Sequence, residues 1–79
     1  MATLNMDRTI DAREMPCPGP LMNLIGAIHE GHIGDVIEVL SADEGSKTDI
    51  PAWIAKAGHT LVEVGQLDGY ARFVVRKER

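Results

Sequence analysis

The 79-residue chain has one cysteine, in the segment EMPCPGPLM at residues 14–22. Pro16 and Pro18 flank Cys17 and Pro20 follows, so three of the four prolines crowd one thiol. The nucleophilic form of a thiol is its thiolate, and a helix N-terminus, with its partial positive charge and unpaired amides, favours that form. The residues after Cys17 read as such a helix start, so the thiol pKa is expected within the range of about 3.5 to 7.5 found for activated cysteines. Pro18 and Pro20 carry no N–H, which leaves the amides of Gly19 and Leu21 as the early donors to the sulfur. Gly19 adds no side chain and keeps the approach open. The prolines then fix the direction of the thiol and present it rigidly.

Several chemistries fail on residue type and spacing. A cysteine hydrolase needs a histidine base. The histidines here are His29, His32 and His59. The first two fall at the far end of the helix and the third after a second helix, about one helix length from Cys17. Capping helix C-termini is the expected role of such histidines. One cysteine with scattered histidines has no zinc-ligand spacing, so neither a metal nor a cofactor is expected. A second cysteine to resolve a mixed disulfide is also absent, which excludes thioredoxin-like exchange. A single exposed nucleophile without substrate machinery suits a carrier, and a persulfide is one of the reversible caps a thiol bears. Two alternatives stay open: an inert buried cysteine in a regulatory or interaction module, and a redox-sensing thiol.

The elements that must position Cys17 follow from hydrophobic periodicity. Residues 6–12 predict a short strand through Thr9 and Ile10. Leu21, Leu24, Ile25 and Ile28 recur at helical spacing, with Cys17 at or near the N-cap, Pro18 and Pro20 in the first turn and Gly31 and Gly34 as the stop. Asp35 to Ser41 predicts a central strand buried on both faces. A turn over ADEG and an N-cap at Ser46, with Asp49 three residues on, predict a second helix. Its apolar face is Ile50, Trp53, Ile54 and Ala57; Pro51 interrupts it and Gly58 ends it. Two final strands meet at the Asp68–Gly69 turn, with Ala71, Phe73 and Val75 on one face. The order β-α-β-α-β-β predicts a two-layer α+β sandwich: a four-stranded mixed sheet with both helices on one face. The length fits one domain, residues 1–79.

Composition limits the partners. A net charge of −4 argues against nucleic acid. No apolar run is long enough to insert in a membrane, the first residues do not resemble a signal peptide, and a lone cysteine fits the reducing cytoplasm. Disorder is expected only in the first few residues and in the charged tail. That tail, Arg76 to Arg79, is either a solvated end or a docking patch for an acidic partner.

With these residues in place, the chain resembles the TusA/SirA-like sulfur-carrier family. Cys17 to Pro20 matches its Cys-Pro-x-Pro signature, and Asp11 lies six residues before the cysteine as in the family stretch. Gly34 to Trp53, including Asp49-Ile50-Pro51, Ala57 to Leu61, and Phe73 to Lys77 also fit. The resemblance implies a two-layer α/β sandwich. It also implies that Cys17 accepts sulfur as a persulfide from a donor protein, a cysteine desulfurase or rhodanese, and relays it to an acceptor protein. Such a carrier acts with partner enzymes and needs no oligomer, so a monomer is expected. One position departs from the family pattern: Glu14 replaces a glycine three residues before the cysteine. Either its backbone is strained or the turn differs, and its carboxylate would raise the thiol pKa. Arg13 and Lys47 are further residues expected to flank the thiol, Lys47 as a counter-charge to a persulfide anion. Met15 and Met22 form an adaptable contact surface or fill gaps in the core.

Overall fold

The computed structural model describes residues 6–79; the expectations for the extreme N-terminus fall on residues outside these. The described residues form β1 (Arg8–Asp11), α1 (Gly19–Glu30), β2 (Val36–Ser41), α2 (Glu44–Ala57), β3 (Thr60–Leu67) and β4 (Tyr70–Arg76). The sheet order is β1-β2-β4-β3. β1 and β2 are parallel, with Asp11 opposite Leu40. The β2–β4 and β3–β4 pairs are antiparallel. This is the mixed sheet and two-layer sandwich expected from the sequence.

Both helices cover one face. Leu24, Ala27 and Ile28 of α1 and Ile50 and Ile54 of α2 share a core with Ile10, Ile37, Val39, Ala71, Phe73 and Val75. Pro20 is also fully buried, so it anchors the first turn of α1 and does not shield the thiol. Trp53, Leu21 and Leu61 pack against the rim of the core. The Trp53 ring lies 5.6 Å from that of His59.

The second face of the sheet is open, which corrects the expectation of a two-sided β2. Ile37, Val39 and Ser41 are buried, while Val36, Glu38 and Leu40 are half-buried. Arg72 bridges Glu38 and Glu63 there. Those two glutamates flank Val74 in register, and Val74 is buried although it faces away from the helices. A charged ladder thus covers apolar surface that the sequence pattern assigns to a second layer.

The start of α2 also differs from expectation. Asp43 is the N-cap, and its Oδ2 accepts from the Ser46 amide at 3.0 Å and the Ser46 hydroxyl at 3.3 Å. Ser46 is therefore buried inside the first turn and is not itself the cap. Pro51 sits within an unbroken helix, leaving only the Lys47 carbonyl without its i+4 donor. Gly58 ends α2 in the left-handed region at φ 84°, as expected, and Gly69 takes φ 87° in the β3–β4 turn.

The charged tail is fixed in place. Lys77 Nζ donates to the carbonyls of Ile28 at 2.6 Å and Gly31 at 2.9 Å, closing the C-terminus of α1. Arg76 pairs with Glu78, whose amide donates to His59 Nδ1 at 3.1 Å. Arg79 packs against Gly58, where a Cβ would come within 2.8 Å of its guanidinium. These contacts correct the expectation of disorder and use the basic groups of the tail within the fold. His59 is held below the ordinary imidazole value, first by burial and then by the charges of Lys77 and Arg79.

Lys77→Met keeps most of the side-chain stem and removes both bonds to α1. It should lower the unfolding free energy by about 1–2 kcal/mol, read as a lower urea midpoint at constant slope. An unchanged midpoint would show that the cap contributes nothing.

Candidate functional site

Because β1 and β2 run parallel, both chains leave the sheet at the same end, and both helices begin there. Residues 12–18 carry the chain from β1 into α1 through two tight turns. Met15 N donates to the Ala12 carbonyl at 3.1 Å, and Gly19 N to that of Pro16 at 2.8 Å. Pro18 is the N-cap of α1, and Cys17 stands one residue before it, exposed and unpaired. The Cys17–Pro18 peptide bond is cis.

Two details of the expected thiol environment change. The Gly19 amide is already bonded to Pro16 and so does not face the sulfur. Nor does the missing side chain of Gly19 open a path to the thiol: a Cβ there would lie 3.0 Å from Met15 Cβ, so the glycine makes room for Met15. Asn23 braces the same corner, donating to the Gly19 carbonyl at 2.9 Å and to Met15 Sδ at 3.2 Å.

The sulfur instead faces the start of α2. A Cβ placed on Gly45 would lie 3.6 Å from Cys17 Sγ and 3.1 Å from Asp43 Oδ2. One turn later, Asp49 Oδ2 accepts from Cys17 Sγ at 3.7 Å. Gly45 and Asp49 are four residues apart and share a helix face. Partial desolvation, followed by the charges of Asp43 and Asp49 and the Asp49 hydrogen bond, pushes the Cys17 thiol above its ordinary value. The expectation of a lowered thiol pKa is therefore reversed, and the carboxylates responsible are not Glu14.

The other expected neighbours of the thiol are engaged elsewhere. Arg13 pairs with Asp11 at 2.8 Å and lies 4.9 Å over the Tyr70 ring. That guanidinium holds the Asp11 carboxyl down to about 2. Lys47 pairs with Glu44 at 2.9 Å. Glu14 is exposed, and its backbone is unstrained: among the described residues every positive φ belongs to a glycine. The turn here simply does not need the family's glycine. Met15 and Met22 are 39% and 57% exposed, so they lie on the surface and fill no gap in the core. Asp43, Gly45 and Asp49 are the site residues that sequence reasoning missed. The available signal was the parallel β1–β2 pair, which requires the residues just after β2 to meet those just after β1.

Asp49→Asn should lower the midpoint of the pH–rate profile for Cys17 alkylation by iodoacetamide, because removing a nearby negative charge favours the thiolate. Alkylation at neutral pH should accelerate accordingly. A wild-type midpoint already below that of a free thiol would contradict the carboxylate environment described above.

Comparison with known proteins places this geometry among relatives. A family model described as Sulfurtransferase TusA matches residues 8–77. A protein of Archaeoglobus fulgidus described as a candidate sulfur carrier is 53% identical over 68 residues, covering 86% of this chain and 93% of the relative. The sulfur carrier protein TusA of Pseudomonas aeruginosa is 30% identical over 76 residues, 96% of each chain. The crystal structure of a SirA-like protein from Desulfitobacterium hafniense superposes with a TM-score of 0.80 at 26% identity, covering 91% of this chain and 99% of that one.

Proposed function

The chain belongs to the TusA family, and we propose from that premise that it is a sulfur carrier whose Cys17 holds the sulfur as a persulfide. The observation that carries this reading is the Cys-Pro-x-Pro segment itself. It holds an exposed, unpaired thiol between two exposed prolines, with the third proline buried as an anchor.

Loading is a thiol–persulfide exchange. The Cys17 thiolate attacks the outer sulfur of a donor protein's cysteine persulfide. A new S–S bond forms on Cys17, the donor's S–S bond breaks, and the donor cysteine leaves as a thiolate that takes up the proton released by Cys17. The exchange is redox-neutral. Delivery repeats the step in the opposite sense, with an acceptor protein's thiolate attacking the outer sulfur on Cys17. A cysteine desulfurase or a rhodanese has the chemistry of such a donor. We read residues 1–79 as one carrier domain acting with these partners. Among the described residues no helix is long and apolar enough to cross a membrane. A lone cysteine also fits a reducing compartment such as the cytoplasm.

Intact-mass spectrometry, without reductant and after incubation with a persulfide donor, tests the reading. One added sulfur atom is expected on the wild-type protein, removed by reductant and absent from Cys17→Ser. A thiol that alkylates freely but never gains sulfur from several donor types would overturn it.

A further inference from the structure

The charges around Cys17 are all tied to one end of the sheet. The turn between β1 and α1 contributes Glu14, and the start of α2 contributes Asp43, Glu44 and Asp49. Arg13 and Lys47 are the basic residues on these two segments, and each is held by its own carboxylate, Asp11 and Glu44. Among the described residues Asp43 and Asp49 form no ion pair, and Glu14 has only the more distant charge of Arg13, which is already paired with Asp11. Arg76, Lys77 and Arg79 lie at the opposite end, where Arg76 pairs in register with Val36. They are drawn into contacts with Glu78, α1 and Gly58. The negative charge is thus concentrated around the thiol, whereas at the opposite end Asp7, Glu30, Asp35 and Glu78 offset the basic residues. Met15, two residues before the thiol, and Met22 on α1 are exposed, flexible apolar groups of the kind that adapt to a facing surface.

Resting on the carrier reading above, we propose that the face around Cys17 docks a protein partner that presents basic side chains around its own reactive cysteine. Transfer requires the two sulfurs to meet, so the rims of both sites meet as well. An acidic rim repels an acidic partner and steers a basic one, and like-charge contact is a strong negative selector. The same rim ties reactivity to docking. Asp43 and Asp49 disfavour the thiolate in the free protein. Basic groups laid over them compensate that charge at the moment of encounter.

Two synthetic peptides of equal length test this, each with one cysteine persulfide, flanked by arginines in one and by glutamates in the other. Sulfur gained on Cys17 is followed by intact mass. The ratio of the two rates cancels any change in the thiol's own reactivity. The arginine peptide should load Cys17 about tenfold faster or more at low salt, and the ratio should fall toward unity near 0.5 M salt, where screening is nearly complete over about 4–5 Å. The ratio should also shrink in the Asp43→Asn, Asp49→Asn double variant. Asparagine caps helices as well as aspartate, so this variant should keep α2 intact. Glu14→Gln, on an exposed turn outside both helices, gives the same reading independently. Equal loading by both peptides, or a preference untouched by salt, would overturn the basic-partner proposal and leave the carrier reading standing. Failure of both peptides to load a thiol that still alkylates would overturn the carrier reading and this proposal with it.

Discussion

Parallel pairing of β1 with β2 is the constraint on which the site depends. A parallel pair cannot be closed by a tight turn, so α1 must carry the chain back along the sheet before β2 begins. The end where β1 stops and α1 starts is then also the end where β2 stops and α2 starts. Cys17 and the first turn of α2 are brought together by this connectivity before any contact between their side chains. The far end holds the helix C-termini, and there Lys77 closes the last carbonyls of α1. At the other end the thiol is left open to solvent.

The electrostatics of Cys17 show which of two opposing effects is larger. A helix N-terminus favours a thiolate through about half a unit charge spread over the first turn. Asp49 is a full charge within sulfur hydrogen-bond reach, Asp43 is a second, and Gly45 displaces water from the same side. The Gly19 amide, which would have pointed at the sulfur, is already bonded to Pro16. The carboxylates and the lost hydration therefore outweigh the helix. For a hydrolase nucleophile this would be a defect. For a carrier it has a use, since a protonated thiol resists chance oxidants and alkylators between encounters with its partners.

The sequence made the elements legible where one periodicity had a single reading. Leu24 and Ile28, Ile50 and Ile54, and Ala71, Phe73 and Val75 were all assigned to the core face, and all are buried there. Gly58 and the Asp68–Gly69 turn were equally clear, because a left-handed residue and a two-residue hairpin leave few alternatives. The start of α2 was ambiguous because two overlapping capping patterns occupy residues 43–49. The burial of Ser46 decides between them, and burial depends on the sheet beneath, which local sequence does not report. Lys47 and Arg13 were placed near the right end of the molecule. What the sequence could not show is that each had a carboxylate of its own within reach.

The two glycines at this end explain why the site was only half visible. Gly19 was noticed because it lies inside the Cys-Pro-x-Pro segment, yet the space it leaves is filled by Met15. Gly45 was passed over as part of a turn, yet it packs beside Cys17, and a Cβ on it would crowd the capping carboxylate of Asp43 at 3.1 Å. A glycine that permits close approach leaves no side chain to mark what it touches. Its partner is set by how two distant segments pack, and here they are 28 residues apart in the chain. The environment of the thiol is thus made by two segments that the fold, not the local sequence, brings together. Asp49, one turn further along the same face of α2, reaches the sulfur at 3.7 Å.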